Sequence, residues 1–237
     1  MPEIALGDIT VEVVLKDIKN VHLSVYPPAG RVRISAPASM TLDTVRLFAI
    51  AKLDWIRQQQ KKQRAQERET ARECVDRESH YVWGVRYLMK VVETEAAPSV
   101  RREHRKLVLH VRPRSDAAVR RAVLAGWYRD ILKAALPPLI AAWEPRLLVT
   151  VDAFHVQQMK TKWGSCNPAA RSIRLNTELA KKPTECLEYL VLHEMVHLLE
   201  PTHNARFVAL MTQFMPDWRH RKQALNRLPI GHPAWSY

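Results

Sequence analysis

His193-Glu194-Met195-Val196-His197, followed by His203, stands inside and just beyond the apolar run from Leu187 to Leu199. The stretch reads H-E-x-x-H-x-x-x-x-x-H. On an α-helix, residues four apart project within about 40° of each other, one turn along the axis. His193 and His197 can therefore offer both imidazoles to one divalent ion. Glu194, next to the first of them, can hold a water and act as general base. The five-residue pattern alone decides little, because a histidine on an apolar helix is commonly just packed and hydrogen-bonded. An apolar helix plus a third histidine at a workable spacing turns the reading toward a metal centre.

A catalytic zinc centre usually has three protein ligands and one open position. His203 follows His197 with Pro201 between them. Proline removes a backbone donor and disfavours α conformation just before it, so the helix should stop near Glu200 and the chain should turn. His203 is the expected third ligand, with Glu200 as its competitor. The spacing equals that of the metzincins, H-E-x-x-H-x-x-G-x-x-H, but Glu200 stands where they have glycine. A metzincin turn uses the freedom of that glycine, which argues against membership. Here Glu200-Pro201-Thr202 must build the turn. Thr184 is the expected N-cap of the histidine helix, with Glu185 complementing its dipole. A further helix is expected from Ala205 to Met215, ended by Pro216, with Phe207, Leu210, Met211 and Phe214 as a core-packing stripe.

The 237 residues, 47% of them hydrophobic, suffice for one large or two small domains. Cys74, Cys166 and Cys186 are odd in number and far apart, which argues against a disulfide framework or a thiolate zinc knuckle. A reducing cytoplasm is the expected setting. The amino terminus lacks a basic segment followed by an apolar one, and no run is long enough to span a bilayer. The net charge of +13 is locally concentrated: Arg101 to Arg121 holds eight Arg/Lys against Glu103 and Asp116, and Arg219, Arg221, Lys222 and Arg227 form a second cluster. Such a field attracts nucleic acid, phosphorylated ligands or an acidic protein, or is simply a solvated surface.

Residues 9–37 alternate as strands, with a turn at Pro27-Pro28-Ala29-Gly30. Ser39 or Thr41 should cap a helix with Leu42, Val45, Phe48, Ala49, Leu53 and Ile56 as its apolar positions. Residues 57–78 are almost wholly polar, as in a solvated helical extension or a linker. Val82–Val92, Leu107–Val111 and Leu148–Val156 read as strands. Residues 117–143 read as a helix that Pro137-Pro138 should kink or divide. No internal repeat is visible. The pattern predicts an α+β chain with four parts: 1–78, strands plus helix and its charged extension; 79–145, strands plus a long helix; 146–228, the catalytic part; and 229–237, a tail.

Four stretches also resemble a known family: Met159-Lys160-Thr161-Lys162-Trp163-Gly164-Ser165-Cys166; Ile173-Arg174-Leu175-Asn176 with Leu179 and Pro183; Tyr189 to Leu198; and His203-Asn204 with Phe207, then Met215-Pro216-Asp217-Trp218. The chain is similar to the YgjP-like zinc metallopeptidases, relatives of the SprT-like proteins. Leu53-Asp54-Trp55-Ile56 and Trp83-Gly84 also look like that family's amino-terminal half. The resemblance implies a β-rich first part and a zincin-like second part. It implies Zn²⁺ on His193, His197 and His203, a catalytic Glu194, and by position alone Lys162, Trp163 and Asn176 as substrate-binding candidates. Gly164 and Trp163 suit a strand edge beside the cleft, where a peptide could add as a further strand. Cys166 is expected to pack rather than to react.

The leading expectation is a zinc-dependent hydrolase acting on peptide or protein. One alternative keeps the metal and hydrolyses a nucleoside triphosphate such as UTP, a label some family members carry; no glycine-rich phosphate loop supports it. Another is a protease or binding module that docks on DNA or a nucleic-acid enzyme through its basic surface.

Overall fold

The computed structural model describes residues 2–26, 30–65, 72–159 and 162–227. The chain divides into two compact units, residues 1–68 and residues 69–231. The architecture is α+β, with six α-helices and three mixed sheets among the described residues.

The first unit is a four-stranded sheet, β1 (Glu3–Leu6), β2 (Ile9–Lys16), β3 (His22–Tyr26) and β4 (Arg31–Pro37), in the order β1-β2-β4-β3. The alternation seen in the sequence puts Val11, Val13, Val32 and Ile34 on the buried face. Helices α1 (Leu42–Ala51) and α2 (Leu53–Ala65) follow, and Val45, Ala49 and Ile56 join the sheet's core. Thr41 is the cap of α1, accepting from the Thr44 N–H. The single helix expected here is two, because Lys52 leaves helical geometry and returns its N–H to Ala49. The tip of the turn at Pro27-Pro28-Ala29 lies outside the described residues, as do part of the polar linker and the 229–237 tail.

The second unit opens on another four-stranded sheet, β5 (Ser79–Val82), β6 (Val85–Glu93), β7 (Ser99–Glu103) and β8 (Lys106–Val111), in the order β5-β6-β8-β7. This repeats the first sheet. In both, the outer pairs are antiparallel and the central pair, β2–β4 or β6–β8, is parallel. Gly7 and Gly84 sit in the same first turn, each with positive φ. The chain therefore carries a structural duplication that its sequence hides. Strands preserve only a period of two, and many residue sets satisfy that.

Helix α3 (Ala117–Leu147) runs unbroken through Pro137, Pro138 and Pro145. The expected division does not occur. Leu124, Tyr128, Leu132, Leu136, Ile140, Trp143 and Leu147 are buried at helical spacing along its length. Burying such side chains contributes on the order of 1.5–3 kcal/mol each, which outweighs about 3 kcal/mol for an interior proline. The strand expected from Leu148 is also shorter. Leu148 is the left-handed cap of α3 and 89% exposed, and β9 begins only at Ala153.

A three-stranded sheet follows, β10 (Gly164–Asn167), β11 (Ser172–Asn176) and β9 (Ala153–Gln157), in the order β10-β11-β9. A short 3-10 helix, Thr177–Lys181, leads into α4 (Thr184–Val196), and α5 (Ala205–Phe214) and α6 (Trp218–Arg227) complete the unit. Residues 79–145 and 146–227 share one hydrophobic core. Helix α4 is buried on nearly every face. Pro183, not Thr184, holds its N-cap position and supplies no side-chain bond. The entry to α4 is fixed from outside instead: the β5–β6 turn packs on Pro183, so closely that a Cβ on Gly84 would lie 2.8 Å from the proline ring. No helix among the described residues is long and apolar enough to cross a membrane.

Candidate metal centre

His193 occupies the last turn of α4 and His197 its C-cap. Beyond Val196 the chain tightens instead of stopping abruptly. Leu198 and Leu199 donate to carbonyls three residues back, and the Glu200 N–H returns 2.9 Å to the Val196 carbonyl. The Glu200 carboxylate accepts from the Thr202 hydroxyl at 3.0 Å, so this side chain shapes the turn that proline alone does not build. Asn204 then caps α5 by accepting from the Phe207 N–H at 3.0 Å. His203 is held between turn and cap.

These elements bring three imidazoles together. Possible ligand atoms of His193, His197 and His203 all lie within 4.8 Å of one another. The Nε2 atoms of His193 and His203 are 3.1 Å apart. Two nitrogens on one tetrahedral zinc ion stand roughly 3.3 Å apart, so the donor set fits such an ion closely. His197 directs Nδ1 at the Glu200 carbonyl, 3.0 Å away. That bond suits a protonated Nδ1 and leaves Nε2 as a ligand. Burial, with His197, His203 and Lys222 adding to it, pushes His193 down to about 3. Burial also lowers His203. Both favour the neutral ring that coordination requires.

Glu194 is buried beside this cluster, 4% exposed. Burial pushes its carboxyl up to about 8, and the Lys162 charge pulls the other way. A divalent charge nearby would favour the carboxylate. Its neighbour is the backbone of β10. A Cβ built on Gly164 would lie 2.5 Å from Glu194 Oε1 and 2.9 Å from Cδ. Only a residue without a side chain lets strand and carboxylate approach this closely.

Of the other sequence candidates, Lys162 is exposed and acts on Glu194 through its charge. Trp163 is half-buried against the core, with Lys182 over its ring at 5.9 Å. Asn176 is buried, and its amide nitrogen donates to the Met159 and Lys162 carbonyls, 2.8 Å each. Its Oδ1 accepts from the Glu178 N–H. Asn176 thus braces the segment leading into β10, with its amide hydrogens already committed. Cys166 lies near Glu194, and burial raises its thiol to about 11, which suits packing. Cys74, Glu78 and His80 form a second cluster. There the Glu78 carboxylate accepts the N–H groups of Glu73, Cys74 and Val75, and the charges of Arg121, Lys181 and Arg72 act on Cys74, so it reads as a backbone clasp in a cation-repelling setting.

The YgjP-like metallopeptidase domain matches residues 19–228 of this sequence. The chain belongs to the YgjP-like metallopeptidase family. It is thereby a metallopeptidase-type hydrolase, and a metal ion belongs to its chemistry. No curated protein matches the chain. Among solved structures it is similar to the metallopeptidase zymogen abylysin of Pyrococcus abyssi, at 16% identity and a TM-score of 0.35 over 37% of this chain and 89% of that one.

One residue of this YgjP-like site was legible in the sequence only as core. Phe207, 1% exposed, packs against all three histidines, with ring centroids 5.0 Å from His193, 4.7 Å from His197 and 4.7 Å from His203. Its position four residues after His203 was the available signal, but an apolar stripe on α5 accounts for it equally well. Phe207→Ala is expected to cost about 3–5 kcal/mol of stability and to weaken metal binding, because three rings lose one wall. Chemical denaturation and a zinc titration check both effects; unchanged zinc affinity would reduce Phe207 to packing.

Proposed function

We propose that this chain is a zinc-dependent peptidase that cleaves an extended polypeptide lying along β10. The observation that carries the reading is the convergence of three imidazoles with a buried Glu194 carboxylate held against Gly164 of that strand. His193, His197 and His203 are the proposed zinc ligands; three imidazoles suit zinc. The ion supplies Lewis acidity at the scissile carbonyl and acidifies water.

The protein's own residues do the rest. Glu194 takes the water's proton on a carboxylate oxygen and passes it to the leaving amine. Gly164 lets that carboxylate lie against the backbone of β10, the strand along which the peptide would bind. β10 is the outer strand of its sheet, paired only with β11 among the described residues. An added peptide strand could use its main-chain groups, with specificity left to side-chain subsites. Lys162 and Trp163 begin the approach to this edge, and Asn176 keeps that approach in place.

The test is metal-dependent turnover. The purified chain is expected to carry about one zinc, to lose cleavage of an unstructured protein on chelation, and to regain it with stoichiometric zinc. UTP is assayed in parallel. Zinc-dependent release of pyrophosphate without any peptide cleavage would overturn the peptidase assignment.

A further inference from the structure

The sheet β5-β6-β8-β7 turns one face inward, where Tyr87, Met89, Leu107 and Leu109 join the core with Leu124 and Tyr128 of α3. Alternate positions point the other way. On that outward face Tyr81 lies opposite Arg86, Leu88 opposite Lys106, and Arg101 opposite Val108, two residues beyond Lys106. Arg86, Lys106 and Arg101 therefore form a diagonal row across β6, β8 and β7, each two positions further along than the last. Diagonal neighbours of this kind stand about 7–8 Å apart. All three are exposed, as are Tyr81 and Leu88. The Tyr128 hydroxyl donates to the Tyr81 carbonyl at 2.8 Å, and the Trp83 N–H in the next turn donates to the Ala180 carbonyl at 2.9 Å. The Tyr81 end of the row is thus anchored to the body of its unit.

The duplicated sheet shows what this face lacks. In the first copy Glu12 neutralises the outward cations, meeting Arg33 at 2.9 Å and Arg31 at 3.3 Å. In the second, Leu88 stands where Glu12 stood and Lys106 where Arg33 stood. Glu103 lies across the ladder from Lys106. Yet among the described residues no carboxylate forms an ion pair with Arg86, Arg101 or Lys106. Lys90, further along β6, is taken by Asp76 at 3.2 Å.

We infer that this outward face binds single-stranded nucleic acid. A line of cations matches a chain that repeats its negative charge, and exposed Tyr81 beside Arg86 offers a ring on which a base can stack. A duplex keeps its base faces stacked inside and would leave Tyr81 without a role. An acidic peptide would use the cations alone. The inference stands apart from the peptidase reading, because none of these residues belongs to the imidazole cluster.

Binding of a labelled mixed-sequence single strand, a duplex of the same length and a glutamate-rich peptide is measured on the full-length chain over a range of salt. The single strand is expected to bind best, with affinity falling steeply as salt rises. Arg86→Gln plus Lys106→Gln is expected to lower its affinity about tenfold or more at low salt. The same pair should reduce the slope of log affinity against log salt by about 1.4, two phosphate contacts at about 0.7 each. Tyr81→Ala is expected to weaken binding about fivefold or more with the slope unchanged, a split that general loss of structure would not produce. Arg219→Gln plus Lys222→Gln, in the other basic cluster, is the charge-matched control and should bind like the native chain. Equal loss in that control would overturn the inference, as would a duplex or glutamate-rich peptide bound as tightly as the single strand. Native-like binding by Tyr81→Ala would overturn it too. Peptide cleavage without oligonucleotide is expected to be unchanged in these variants, so the sheet face and the metal centre are tested separately.

Discussion

Glu194→Gln is expected to retain a full complement of zinc and to lose peptide hydrolysis by about 10²–10⁴-fold. The substitution keeps the size and shape of the side chain in a buried position, 4% exposed in the native protein. It removes the buried carboxylate that, on the proposed mechanism, would accept the water's proton. The ligands themselves lie on His193, His197 and His203, so metal content should not follow activity. Metal analysis and peptide cleavage on the same preparation make the comparison. Turnover within about threefold of the native enzyme, well short of the loss general-base removal entails, would take Glu194 out of the reaction.

Gly164→Ala should cost activity almost as heavily, by about 10²-fold, although it adds one methyl and removes nothing. The new Cβ would lie 2.5 Å from Glu194 Oε1 and 3.0 Å from Cγ. The carboxyl must rotate away or β10 must lift. Either change misplaces the base, and overpacking of this kind typically costs 1–3 kcal/mol of stability as well. Combining Gly164→Ala with Glu194→Asp shortens the opposing side chain. The pair should be less impaired than the product of the two single effects, because the residues share one contact. Cleavage rates and thermal denaturation of the four proteins supply the cycle; strict additivity would mean that the contact does not govern the base.

Much of the catalytic part was legible because its chemistry fixes its spacing. His193, Glu194 and His197 need one helical face, and His203 needs a turn before it, so position along the chain translates directly into proximity. The residues that build the surroundings carry no such constraint. Phe207 obeys the same apolar periodicity as its neighbours on α5, and only the fold reveals that three imidazoles lean on it. Gly164 and Asn176 act through backbone approach and backbone carbonyls, which leave no periodic trace. The unbroken α3 was misjudged from Pro137-Pro138 because local helix penalties are visible in sequence whereas the burial that offsets them is not. Polar β10, Gly-Ser-Cys-Asn, was expected as a strand edge from Trp163 and Gly164 although it lacks the branched residues that mark a strand, and its pairing with β11 supplies what propensity does not.

The two four-stranded sheets face a problem of self-recognition during folding. A nascent β2 meets two potential parallel partners, β4 and β8, in one chain, and exchange between like modules is a known route to misassembly. The first copy has a distinguishing mark. Glu12 of β2 receives Arg33 of β4 through Nε at 3.0 Å and Nη2 at 2.9 Å. In the second copy, Leu88 of β6 holds the place of Glu12 and lies opposite Lys106 of β8. Mispairing β6 with β4 would set Leu88 opposite Arg33 and forfeit the two-pronged contact with Glu12, so a surface ion pair of little energetic weight works as an address label that sends each strand home.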